Sequence, residues 1–189
     1  MLHDNISRQR TEGIIASLLS TLAFCLATAS CKPNWIRHNA NHMWLSEKQD
    51  IVCIQAAQSQ ILNVTKAVIA WDRAIQSWKR LIPKIGIDNT CDYTIQEVEP
   101  DPQQNITFLA ITSSIFGRKI SLFKDRYEVD TLGITLHEIG HALGATHKPN
   151  TLMASGIIYG KYSCPDADTV TQVAIANGID PLLLTWCTK

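Results

Sequence analysis

Apolar side chains at Ile61, Val64, Val68, Trp71, Ile75, Trp78 and Ile82 recur alternately three and four residues apart, while Lys66, Asp72, Arg73, Gln76, Lys79 and Arg80 fall off that stripe. This spacing predicts one long amphipathic helix, stopped near Pro83 and Gly86. The pattern then changes. Residues Tyr93 to Val98, Ile106 to Ile111 and Lys119 to Phe123 are rich in β-branched and aromatic side chains, divided by turn residues at Pro100-Asp101-Pro102 and at Gly117, so three strands are expected. In the last of them Ile120 and Leu122 alternate with Ser121 and Phe123, as suits a half-buried edge strand. A second helix is predicted from Leu132, Leu136, Ile139 and Leu143, capped by Asp130 or Thr131. A third spans Asp166 to Asn177, capped by Asp166 or Asp168 and stopped at Gly178, and the apolar Pro181 to Trp186 segment is expected to pack back as a tail. There are no internal repeats or low-complexity tracts, and the length suits one domain.

The second predicted helix carries the chemistry. Residues 137 to 147 read His-Glu-Ile-Gly-His-Ala-Leu-Gly-Ala-Thr-His, an H-E-x-x-H-x-x-G-x-x-H string. On a helix His137 and His141 are one turn apart and leave the same face, so both imidazoles can bind one metal, with Glu138 beside them as candidate general base. Gly144 breaks the helix, letting the chain turn back so that His147 becomes a third ligand and a fourth tetrahedral position stays open for water. Three protein ligands and an open position make a catalytic kind of zinc site. A closed structural site takes a fourth ligand, usually Cys, and none lies between Cys91 and Cys164. A His pair on a helix is often only a hydrogen-bonded surface pair. The added glycine and third histidine reduce a chance match in this chain to roughly one in a hundred thousand, which favours the metal reading.

Two flanking features bear on the site. Gly140 costs the helix about 1 kcal/mol against alanine; close packing, close substrate approach and simple tolerance all account for it. Lys148-Pro149-Asn150 favours a turn, and Met153 in the following Thr151-Leu152-Met153-Ala154 either lies beneath the metal or fills the core.

From about Asp130 to Met153 the chain resembles the active-site segment of the metzincin metallopeptidases, and among them most the matrixins. The resemblance implies that His137, His141 and His147 bind one catalytic Zn2+, that Glu138 polarises the attacking water, and that Met153 forms the floor of a site shaped by Gly144. It also implies an α+β fold: a twisted mixed sheet with a long helix and an active-site helix, then a small C-terminal subdomain. Ala70-Trp71-Asp72-Arg73-Ala74 through Trp78 is similar to the end of the long matrixin helix. In metzincins an edge strand holds an extended peptide by main-chain pairing, which would give Ile120, Ser121 and Leu122 that role. The chain departs from the matrixin pattern at Ala154-Ser155, where Tyr-Pro is common, so the primed-side pocket is expected to differ in shape. No tyrosine stands two places after Met153, unlike the astacin and serralysin branches. Tyr159 and Tyr162 are read as surface or packing residues within reach of a pocket. The short loop before Lys119 holds no His and few acids, so accessory zinc and calcium sites are not expected.

The N-terminus sets the compartment. Ile14 to Ala29 is an apolar run preceded by Arg8 and Arg10, too short for a comfortable membrane span and like a secretory signal. Residues 1–30 are therefore read as a signal peptide and 31–189 as the metallopeptidase domain. Ala27-Thr28-Ala29 offers an A-x-A cleavage site; alternatively Thr28-Ala29-Ser30-Cys31 resembles a bacterial lipoprotein box, with Thr where Leu is usual, making Cys31 a lipidation candidate. An uncleaved anchor is the third option. If Cys31 is lipidated and Cys25 is removed, four cysteines remain, enough for two disulfides. Of three pairings, Cys164 with Cys187 is the local choice and Cys53 with Cys91 its complement. The protein is expected to be extracytoplasmic, either secreted or lipid-anchored.

Charge adds little: 17 basic and 17 acidic side chains leave the chain formally neutral, and nucleic-acid binding is not indicated. His38 and His42 read as surface histidines. The Asn63-Val64-Thr65 and Asn105-Ile106-Thr107 sequons carry no weight in a bacterial protein. The sequence thus predicts a monomeric zinc endopeptidase acting on protein or peptide substrates, active without an inhibitory propeptide and meeting a membrane only through a lipid anchor. The alternative is a zinc-binding but non-proteolytic surface or structural protein of the same fold, against which Glu138 counts.

Overall fold

The computed structural model describes residues 49–100, 109–113, 118–156 and 159–187. The signal-like run, Cys31, His38, His42 and Asn105 lie outside these. No described helix is long and apolar enough to cross a membrane.

The architecture is mixed α+β. Five strands, β1 (Gln49–Gln55), β2 (Arg80–Ile85), β3 (Tyr93–Val98), β4 (Ala110–Ser113) and β5 (Lys119–Phe123), form one sheet in the order β2-β1-β3-β5-β4. All neighbours are parallel except β4, which runs antiparallel to β5. Three helices accompany it: α1 (Ile61–Ile75), α2 (Thr131–Ala142) and α3 (Ala167–Asn177). Helix α1 crosses between the parallel strands β1 and β2 and packs on both, while α2 lies against α1, β4 and β5. The core between them is built from Val52, Ile54, Val68, Trp71, Ile95, Ile120, Leu122 and Leu136, all essentially inaccessible to solvent. The Trp71 indole N–H donates to the Leu136 carbonyl at 2.9 Å, fixing α1 against α2.

The long helix is shorter than its stripe predicts. It ends at Ile75, and the Trp78 and Lys79 amides close a turn onto the Ile75 carbonyl. What stops it is tertiary. Lys79 is buried with its Nζ 2.7 Å from Asp50, and Asp72 accepts from Arg80 Nε and Nη2 and from the Leu81 amide. These partners draw residues 80 to 85 into β2, where Ile82 pairs beside Ile51 and not along a helix. Pro83 is tolerated because β2 is an outer strand of this sheet. Strand β1, which the periodicity did not announce, supplies the hydrogen-bonding partner for both β2 and β3.

Strands β3 and β5 occupy the expected residues, and the strand expected over Ile106 to Ile111 is found as Ala110–Ser113, residues 101–108 lying outside the description. The edge assignment of β5 is corrected: Ile120, Ser121 and Leu122 sit on an interior strand between β3 and β4, and the edge beside α2 belongs to β4. Side-chain alternation reports that one face is buried; it does not report whether another strand lies alongside.

Both expected disulfides are present, Cys53–Cys91 with Cα atoms 5.6 Å apart and Cys164–Cys187 at 6.1 Å. Two disulfides fit an oxidising, extracytoplasmic setting. The second holds the C-terminal tail, where Leu184 is buried and Thr185 bonds through its amide to Ala74 and through its hydroxyl to Arg73. Leu182, Leu183 and Trp186 of the same tail are exposed.

Candidate metal centre

Helix α2 begins at Asp130, whose Oδ1 accepts the Gly133 amide at 3.0 Å as an N-cap and whose Oδ2 accepts the Gly160 amide at 2.9 Å. Nearly every residue of α2 is buried, since one side meets the sheet and another meets α1. Its C-terminus closes by a paired bond: the Gly144 amide donates to His141 and the Ala145 amide to Gly140, with Gly144 at φ +99°. That is a Schellman motif, and its left-handed residue is why glycine is required there. The reversal brings His147 back to the helix.

The three histidines converge. Ring centroids of His137 and His141 are 4.7 Å apart, His141 and His147 4.7 Å, and His137 and His147 5.4 Å. One ligand nitrogen from each lies within 4.8 Å of the others, so the triad can hold a metal ion. His137 is buried, His141 half-buried and His147 exposed.

The donor chemistry fits a zinc-like ion. His137 Nδ1 is 2.8 Å from the Leu152 carbonyl and His141 Nδ1 is 2.9 Å from the Ala145 carbonyl. A carbonyl only accepts, so both Nδ1 atoms carry the proton and both Nε2 atoms present a lone pair. The Nε2 atoms of His141 and His147 stand 3.2 Å apart, close to the edge of a tetrahedron with bonds of about 2.0–2.1 Å to nitrogen. Burial lowers the His137 pKa to about 4, helped by the neighbouring imidazoles, and burial also lowers that of His147. Neutral imidazoles are the metal-binding form.

Met153 is fully buried against α2, and a Cβ on Gly140 would sit 2.6 Å from its sulfur and 3.4 Å from Trp71 Cζ2. Of the three explanations for Gly140, close packing is the one found. The methionine turn is anchored on both sides of one residue: the Leu152 amide donates to Asp166 Oδ2 at 2.6 Å while the Leu152 carbonyl receives His137. Asp166 also caps α3 through the Thr169 amide. Sequence reading offered Asp166 or Asp168 as the cap, and Asp166 is the one found; its hold on the turn at Leu152 was not legible, because the two segments meet only in three dimensions.

Glu138 is buried, and burial raises its pKa, opposed by a hydrogen bond from Thr112 and by the nearby His141. Thr112 lies on β4 with Oγ1 2.6 Å from Glu138 Oε2. Nothing local in the sequence marked Thr112. A cleft of about 500 Å³ opens over the centre, walled by Leu109 to Thr112 on one side and by Ala154, Ser155 and Tyr159 on the other. Tyr159 is largely exposed at its rim, and the Tyr162 hydroxyl donates to the Asn150 carbonyl at 3.3 Å. A larger hollow, about 650 Å³, lies between α1 and the C-terminal disulfide, away from the histidines.

Comparison with known proteins brings no relative: no protein-family model and no curated protein matches this chain.

Proposed function

We propose that the protein is a zinc-dependent endopeptidase of metzincin kind, closest in design to the matrixins, working outside the cytoplasm on protein or peptide substrates as a monomer. The observation that carries this reading is the convergence of the His137, His141 and His147 ligand nitrogens beside the buried carboxylate of Glu138, at the floor of an open cleft. The parallel strands, the antiparallel outer strand next to the active-site helix, and the buried methionine turn support a metzincin-like fold with a small C-terminal subdomain around α3.

Bound by the three histidines, zinc supplies Lewis acidity to a substrate carbonyl and a water. The protein's own groups do the rest. Glu138 accepts the proton of the attacking water and returns it to the leaving amine, a role suited to a carboxylate whose pKa burial has raised. Leu152 and Ala145 hold two of the histidines in the right tautomer. Among the described residues no strand lies beyond β4, whose Ala110, Ile111 and Thr112 line the cleft, so its main-chain groups can take an extended peptide, the part that the sequence had given to Ile120, Ser121 and Leu122. The two disulfides support secretion or a lipid anchor at Cys31.

The test is hydrolysis of a peptide library by the disulfide-intact protein and by Glu138→Ala, with zinc measured in both. Cleavage lost in the variant while zinc is retained is the expected result. Stoichiometric zinc with no cleavage by either protein would favour the non-proteolytic binding protein.

A further inference from the structure

Glu138 has one side-chain hydrogen-bond donor from the sheet. Thr112 Oγ1 lies 2.6 Å from Glu138 Oε2 and 2.9 Å from the Glu138 carbonyl oxygen. We propose, on the reading of Glu138 as general base given above, that Thr112 is a positioning residue that fixes the Glu138 carboxylate for proton transfer.

Three features of the contact support this. Threonine is β-branched, so its χ1 is restricted and its hydroxyl is a stiff post on β4, whereas an unrestrained glutamate side chain would sample several rotamers. The shorter contact has the length of a charge-assisted O–H···O⁻ bond, so the hydroxyl donates to the carboxylate first. The bond engages Oε2 alone and leaves Oε1 for the water, so a proton taken from that water arrives on Oε1 while Oε2 keeps accepting from the Thr112 hydroxyl and the carboxyl group need not turn. The contact also ties β4, the strand lining the cleft, to the catalytic helix.

The experiment compares native protein, Thr112→Val and Thr112→Ser for peptide hydrolysis and zinc content. Valine keeps the shape and removes the hydroxyl. It is expected to lower kcat by roughly 10- to 100-fold while KM and zinc content stay unchanged, and serine is expected to recover most of the loss. A Thr112→Val enzyme with native kcat, or a loss that serine does not repair, overturns the proposal. If the native protein cleaves nothing, the endopeptidase reading fails, and Thr112 is judged on the metal-free protein by urea unfolding of Thr112→Val, Glu138→Ala and the pair. Non-additive midpoint shifts support the contact; additive shifts overturn it.

Discussion

The Met153 sulfur occupies the space that a side chain on Gly140 would need, 2.6 Å from the position of an added Cβ. The usual rule that alanine improves a helix by about 1 kcal/mol over glycine therefore meets an opposing overpacking cost of about 1–3 kcal/mol. Gly140→Ala is expected to lower stability and zinc affinity together. In a Met153→Ala background, where the sulfur is gone, the same change is expected to be neutral or stabilising. Thermal unfolding of the four proteins decides it, and a stabilising Gly140→Ala in the native background would show that the methionine yields freely.

Acid should loosen the metal-free protein through His137. Burial lowers its pKa from 6.5 to about 4, so between these values the unfolded chain binds a proton that the native chain refuses. Stability from this residue is complete above about pH 6.5 and is lost as pH falls toward 4, by up to about 3 kcal/mol. Glu138, whose pKa burial raises, acts in the opposite direction, so the check is a comparison: as pH falls across that window the urea midpoint of chelator-treated His137→Gln should decline less, or rise more, than that of the native protein.

Asp130 joins the start of α2 to the segment after the methionine turn, through the Gly133 and Gly160 amides. Asp130→Ala is expected to cost about 1–2 kcal/mol as a lost cap and to weaken metal binding as the turn loosens. Asp130→Asn should recover the cap but not the bond to Gly160, since its single amide oxygen replaces one carboxylate oxygen while its NH2 cannot accept the second N–H. Calorimetry with zinc titration measures both effects.

The Cys53–Cys91 bridge closes a loop with a sequence separation of 38 residues. Chain-entropy reasoning for such a loop gives about 4 kcal/mol. Replacing both cysteines by alanine should remove roughly that much in urea unfolding, and the loss should match that produced by reducing this bridge alone.

How much of this was written in the sequence depends on the range of the forces involved. The convergence of His137, His141 and His147 was legible because two of them share one helix and the third follows its Gly144 turn closely, where spacing maps directly onto geometry. The caps were legible for the same reason to within a pair of candidates each, Asp130 or Thr131 and Asp166 or Asp168, of which the first is found in both cases. The apolar stripe from Ile61 held through Ile75, but Trp78 and Ile82 keep helical spacing in a segment that is not helical, because Asp50 and Asp72 capture Lys79 and Arg80 from other elements. Thr112, the second bond of Asp166 and the interior place of β5 all depend on which segments become neighbours. No local pattern carries that information.

The two outer strands of the sheet are unlike each other. β2 carries Pro83 at its middle between charged Arg80 and Lys84, and a proline has no N–H to lend to a stray chain. β4 is Ala110–Ser113, without a charge or proline and with Ile111 exposed. Among the described residues β4 is therefore the unguarded edge of the sheet, and it borders the cleft over the histidines. A second copy and an extended peptide would need the same strand, so whichever is seated on β4 would keep the other away from the cleft over the histidines.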